Sequence, residues 1–188
     1  MLVSMDPEKI VASMVKVHDA RPDLKYFVVD DTTYTMAGEF MRRRNEKSYE
    51  KWTDLSWQIW SLLREPVESF RDGVIVFFMW HTEEVETSDD LGVKYVRRCK
   101  TLGKSLSRNV GIEGLVRTVL FTHVEPQTPD PRERFKFVTQ NVGDTTAKSP
   151  YGMFGNLLIP NDLSYVAKRM DEYDNQDIIE EWSEEVAE

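Results

Sequence analysis

Cysteine is almost missing from this chain. Cys99 is the only one in 188 residues, so no disulfide can close within the chain and a disulfide-stapled scaffold is excluded. Long apolar runs are also missing. No stretch reaches the roughly 18 residues that a membrane-spanning helix needs, and no membrane partner is expected. The N-terminal sequence MLVSMDPEKI lacks a basic region followed by an apolar core. It does not read as a signal peptide, and a cytoplasmic location is expected. Bases are absent from position 171 onward, where nine acids lie: Asp171, Glu172, Asp174, Asp177, Glu180, Glu181, Glu184, Glu185 and Glu188. The remainder balances at 24 acids and 24 bases, so the whole net charge of −9 sits at this end. Such a segment repels itself and stays solvated, or mimics nucleic acid in competing for a basic groove.

What is present suits a folded protein. Hydrophobic residues make up 40%, with five Trp, seven Tyr and nine Phe, enough apolar surface to exclude wholesale disorder. The length fits one domain of about 100–200 residues. Asp6-Pro7-Glu8 opens a helix, with Asp6 as cap, Pro7 at the first helical position and an acid near the positive end of the dipole. Ile10, Val11, Met14 and Val15 follow at helical spacing, and the helix should stop before Pro22. Tyr26-Phe27-Val28-Val29 is a short apolar run, expected as a strand covered on both faces. Helices are expected over 35–47 and 50–64, the second closed by Pro66. Further strands are expected over 74–80, 116–124 and 135–140, the last two as a hairpin. A final amphipathic helix should follow Pro160-Asn161-Asp162. Together these give an α/β class with a mixed sheet.

Candidate chemistry lies at strand ends. Asp30-Asp31 ends one apolar run and His81-Thr82-Glu83 another. Ligands in open α/β sheets bind beyond the carboxyl ends of strands. A carboxylate there can hold Mg²⁺ through water, and a neighbouring acid can polarise an attacking water. The plainer reading is that Asp30-Asp31 caps the next helix and that His81 is structural. Between Lys94 and Arg108 lie Lys94, Arg97, Arg98, Lys100, Lys104 and Arg108 with no acid among them. These bases can neutralise nucleic-acid phosphates, or form a solvated loop. Arg42-Arg43-Arg44 is expected at an exposed helix end. Trp52 is expected in the core, with Trp57 and Trp60 partly elsewhere, at a subunit interface. Cys99 lies among bases that can lower a thiol pKa, although a structural thiol is expected.

Lys25 to Asp31, with Tyr34, Met36 and Glu39 to Arg42, resembles the Walker B region of phage-encoded RecA-like ATP-binding proteins, a family associated with single-strand annealing and DNA recombination. The resemblance continues through Val74 to Glu84, Lys100 to Lys104 and Glu113-Gly114-Leu115. It is most specific at Thr139-Gln140-Asn141, Gly143, Thr146 to Pro150 and Gly152-Met153-Phe154. It implies a RecA-like mixed sheet flanked by helices over residues 1–174, with a C-terminal β-hairpin and helix, and an acidic tail over 175–188. By the resemblance, Asp30 is the Walker B magnesium acid, Asp31 its water-positioning neighbour and His81 the phosphate sensor. Lys148 would reach a neighbouring subunit's nucleotide, in a homo-oligomer. The Lys94–Arg108 segment would bind single-stranded DNA. ATP and Mg²⁺ are the implied cofactors, and an infected bacterial cytoplasm the implied setting.

One motif of the family is missing. No G-x-x-x-x-G-K-[ST] occurs, since Gly103-Lys104-Ser105 has Arg98 where a glycine is required. The expectation is therefore a C-terminal portion of such a protein, incomplete without its P-loop strand, with little or no ATP turnover of its own. Alternatively, the sheet closes up without that strand, or a separate chain supplies it. Two functions of other classes stand beside it: a non-enzymatic DNA- or partner-binding module, and a metal-dependent nuclease using Asp30, Asp31, Glu83 and Glu84.

Overall fold

The structure, a computed structural model, describes residues 2–89, 92–102 and 111–175. It is mixed α/β, with sheets of two, two and three strands among the described residues. No helix among these residues is long and apolar enough to cross a membrane. The chain forms two compact units, Met1–Val119 with Asn141–Thr146, and Leu120–Gln140 with Ala147–Glu188. The acidic residues from Asp177 onward lie outside the described residues, as do Lys104 and Arg108.

In the first unit, α1 runs Pro7–Ala20 and is capped as its sequence demands: the Asp6 carboxylate accepts the Lys9 N–H at 3.4 Å. Asp6 also meets the Arg42 guanidinium at 3.0 Å, and Arg42 pairs with the buried Glu39. Arg43 reaches Glu46 and Asp54. The three arginines therefore do not form one free basic patch. At its other end, α1 is closed by Arg71, whose guanidinium donates to the carbonyls of His18, Arg21 and Leu24.

Strands β1 (Tyr26–Val29) and β2 (Ile75–Phe78) pair in parallel, with Tyr26 opposite Ile75 and Val29 opposite Phe78. The connection carries α2 (Thr33–Arg42) and α3 (Glu50–Ser69). The second helix begins earlier than its apolar periodicity suggests, because the turn after Asp31 is already closed by a Tyr34 N–H to Asp31 carbonyl bond of 2.8 Å. Helix α3 passes through Pro66 and ends at Ser69. Proline removes one N–H, but the Phe70 N–H still reaches the Pro66 carbonyl at 3.2 Å and completes the last turn.

Two apolar clusters hold this unit together. Met36, Leu55, Ile59, Leu63 and Ile112 form one, and Ile10, Met14, Val29 and Leu62 form the other. Each such side chain contributes about 1.5–3 kcal/mol on burial. The sheet is covered differently from the expectation. Phe27, Val29, Val76 and Phe78 join the second cluster under α1 and α3, whereas Val28, on the opposite face, is 58% exposed. The apolar stripes of both helices serve one face, so a continuous apolar run here has one covered side.

The largest departure follows β2. Residues over which no strand is expected form a hairpin, β3 (Thr82–Asp89) and β4 (Gly92–Cys99), antiparallel with Glu83 opposite Arg98 and Val85 opposite Val96. Its foot is fastened twice. The Lys100 N–H reaches the His81 carbonyl at 2.8 Å, and Trp80 Nε1 donates to the Lys100 carbonyl at 2.7 Å. The free side of β4 takes residues 144–146, through Arg97 N–H to Asp144 carbonyl at 2.8 Å and Thr146 N–H to Arg97 carbonyl at 3.1 Å.

In the second unit, β5 (Phe121–Val124), β6 (Phe135–Val138) and β7 (Leu158–Pro160) form an antiparallel sheet in that order. The expected hairpin is β5–β6. Residues 116–120 precede the strand rather than belong to it, and β7 is an addition. Helix α4 (Leu163–Asp174) starts where Asp162 accepts the Ser164 N–H at 2.7 Å.

Candidate functional site

Parallel pairing of β1 and β2 puts both carboxyl ends on the same side, so residues fifty positions apart in sequence meet there. Asp31 Oδ1 lies 3.1 Å from His81 Nε2. Asp31 reaches this position through a left-handed backbone, φ 49°, the one non-glycine residue with positive φ among those described. Aspartate tolerates this region better than most residues, at a cost of about 1–3 kcal/mol. The surrounding turn holds it. The Asp31 N–H donates to Asp30 Oδ1 at 2.9 Å, the Thr32 N–H to the Met79 carbonyl at 2.9 Å, and the buried Thr32 hydroxyl to the Val29 carbonyl at 3.1 Å.

His81 is fixed from three sides. Its backbone N–H donates to Thr33 Oγ1 at 2.9 Å, its ring meets the Tyr34 ring edge-on at 5.3 Å, and its Nε2 faces Asp31. A carboxylate partner requires the proton on Nε2, which leaves Nδ1 as the open ring nitrogen of the neutral imidazole. Both side chains face water, at 64% exposure for Asp31 and 50% for His81, so their mutual attraction is worth no more than about 1 kcal/mol. The pair is a presented, orienting contact rather than a stabilising one.

Asp30 and Asp31 suit outer-sphere magnesium. Mg²⁺ keeps most of its waters and takes one or two carboxylates together with substrate phosphate. Among the described residues, no three His, Cys, Asp or Glu side chains converge on a point, which does not match an all-protein metal cage. Glu83 is directed to Arg98, with the Nε–Oε1 distance 3.0 Å. The four-acid nuclease arrangement of Asp30, Asp31, Glu83 and Glu84 is therefore not formed.

The basic set divides. Lys94, Arg97 and Arg98 lie on β4 and Lys100 just beyond it. Alternation along the strand puts Lys94 and Arg98 on one face and Arg97 on the other. Across the ladder stand Glu83 opposite Arg98, Glu84 opposite Arg97 and Glu86 opposite Tyr95. A run without acids in the sequence is thus interleaved with acids in space. Lys148 belongs to the second unit and is half-buried.

Cys99 behaves contrary to its basic neighbourhood. Burial, with the Glu113 carboxylate beside it, pushes its thiol up to about 12. Glu113 Oε1 also accepts the Cys99 N–H at 2.9 Å and the Thr146 hydroxyl at 3.1 Å. This ties the end of β4 to the 141–146 segment. Trp52 packs against Phe40 at 5.3 Å, while Trp57 and Trp60 stack at 5.1 Å with Trp57 62% exposed.

Thr33, Tyr34 and Glu113 are contributors to which the sequence assigns no role at a site. Thr33 and Tyr34 lie two and three residues after Asp31, and that closeness is the available signal. No protein-family model matches the chain, and no curated protein or solved structure is significantly similar to it.

Proposed function

We propose that this chain is the magnesium and sensor side of a RecA-like nucleotide-binding protein acting on single-stranded DNA in recombination or annealing. The observation that carries the reading is the meeting of Asp31 with His81, beside Asp30, at the carboxyl ends of two parallel strands. Asp30 would hold hydrated Mg²⁺, and His81 Nδ1 would face the terminal phosphate. Asp31 acts on His81, orienting the imidazole. That is a positioning role in place of the water-activating one implied by resemblance. When bound, Mg²⁺–ATP would supply the phosphate charge these groups sense. The sequence holds no G-x-x-x-x-G-K-[ST], so a phosphate cradle of that kind has to come from outside these residues.

The test is binding of a fluorescent ATP analogue with and without Mg²⁺, alongside phosphate release. The expected result is weak binding that needs Mg²⁺, falls at least several-fold in Asp30→Ala and His81→Ala, and gives no turnover. Binding indifferent to Mg²⁺ and to both substitutions overturns the reading. Turnover abolished by Asp30→Ala overturns its inactive part.

A non-enzymatic DNA- or partner-binding module is the second reading. It is favoured by the exposure of Asp31 and His81 and by the absence of that loop.

A further inference from the structure

We infer that the turn Pro150–Met153 is a contact for single-stranded nucleic acid, in which Tyr151 stacks on a base and Lys148 takes backbone phosphate. Tyr151 is 95% exposed, the highest value among the exposed large hydrophobic side chains. An aromatic ring turned so fully to water contributes nothing to the core that holds it.

The backbone beneath it is built to keep it there. The Met153 N–H closes the turn on the Pro150 carbonyl at 3.2 Å, and Gly152 supplies the positive φ, 79°, that the third position of a type II turn takes. Met153 is fully buried, and its carbonyl accepts Arg169 Nη2 at 3.0 Å. On the other side, Gln140 Nε2 donates to the Ser149 carbonyl at 2.9 Å and to its hydroxyl at 2.8 Å, and the Ser149 hydroxyl donates to the Thr139 carbonyl at 3.2 Å. The turn is anchored at both ends and lifts one aromatic ring. A tyrosine held this way loses little entropy when something stacks on it.

Charge selects the partner. Residues 147–157 contain one base, Lys148, and no acid. On α4, Glu172 is already engaged by Lys168 and Arg169. On the hairpin, by contrast, Arg97 and Arg98 stand opposite Glu84 and Glu83 across the ladder. A tyrosine three residues from a lysine, in a segment without acids, offers the two groups that single-stranded nucleic acid uses, base on aromatic and phosphate on ammonium. An apolar protein partner would call for a contiguous apolar patch. Here the exposed residues that follow Tyr151 up to Leu157 are Gly152, Gly155, Asn156 and Leu157, only one of them apolar and large.

The proposal takes from the preceding section only that single-stranded DNA is the partner, and its residues are separate from Asp31 and His81. The test is fluorescence anisotropy of a labelled oligothymidylate with the full chain, across a salt series. Stacking losses predict that Tyr151→Ala weakens binding by about five- to a hundred-fold while Tyr151→Phe binds nearly as well as the parent. Lys148→Gln should flatten the logarithmic salt slope by about 0.7. Thermal melting should be unchanged in all three, since Tyr151 is outside the core. Asp31→Asn and His81→Ala should bind the oligonucleotide normally. Equal affinity of Tyr151→Ala and the parent, or no binding by the parent at about 50 mM salt, overturns the proposal. So does a changed sedimentation coefficient of Tyr151→Ala with DNA binding intact, which would make the turn a protein contact. Loss of the Mg²⁺–ATP response with Tyr151-dependent DNA binding intact would remove the nucleotide reading and leave this one standing.

Discussion

The strand ends of the parallel pair and the ladder of the neighbouring hairpin handle charge in opposite ways. At the ends of β1 and β2, backbone pairing is finished and side chains project into water. Asp30, Asp31 and His81 gather there with one contact between ring and carboxylate. Along β3 and β4, antiparallel register sets Glu83 against Arg98 and Glu84 against Arg97, and Glu83 pairs with Arg98 at 3.0 Å. One arrangement concentrates groups with spare coordination, and the other satisfies them. Parallel strands must end on the same side, so their ends make sites. An antiparallel hairpin places successive stretches opposite each other, so acids of one strand meet bases of the other.

The strongest effect is expected at the hairpin's buried foot. With its thiol raised to about 12 by burial and Glu113, Cys99 holds little thiolate at pH 8. Alkylation should run about a thousand-fold slower than in the unfolded chain, as mass spectrometry would read. The raised value favours the protonated thiol in the fold. This contribution to stability is complete below pH 9.0 and is lost as pH rises towards about 12. Fast labelling under native conditions would show that the foot opens.

Next comes the core beneath both regions. Ile59 is 1% exposed and sits in the cluster against which Phe78, Trp80 and Cys99 pack. Ile59→Ala should cost about 2–5 kcal/mol in urea unfolding and loosen strand ends and hairpin together. If only one responds, the two do not share this support.

Charge reversal at the ladder sharpens the contrast. Glu83→Lys releases Arg98 and adds a base, which should raise oligonucleotide affinity about tenfold at low salt and steepen its salt dependence. An unchanged affinity would mean that Glu83 does not mask the hairpin bases.

A smaller effect belongs to the helix cap. Asp6→Ala should cost about 1 kcal/mol. Burial works to raise the Asp6 carboxyl, but the Arg42 and Lys9 contacts outweigh it and hold it below its usual 3.8. The stability it contributes is present above that value and is lost as pH falls through the lowered one. A parent and an Asp6→Ala variant that lose stability in parallel below pH 4 would contradict this. Smallest of all, Asp31→Asn should change stability by less than about 1 kcal/mol, since the pair is exposed.

Much of this was legible in local chemistry. Asp6-Pro7-Glu8 starts α1, and the apolar runs ending in Asp30-Asp31 and at His81 mark both strand ends. The hairpin was not legible, because Thr82–Asp89 is rich in glutamate, which strands disfavour, and its stability comes from a partner strand. Arg97 and Arg98 meet their opposing acids only once that partner strand is in place, so the segment from Lys94 to Lys100 has the composition of a basic loop. The uncovered face of β1 was missed because a four-residue apolar run does not say how many faces helices cover. The tautomer of His81 depends on a contact made only after folding.

The most direct test is the side-chain nitrogen NMR spectrum of the three histidines, His18, His81 and His123, during titration with Mg²⁺–ATP. The account predicts that His81 carries its proton on Nε2, that its Nδ1 signal alone moves on titration, and that Asp30→Asn removes the response while Asp31→Asn first alters the tautomer. A His81 signal indifferent to Mg²⁺–ATP, or one that moves equally in the parent and in both variants, would contradict it.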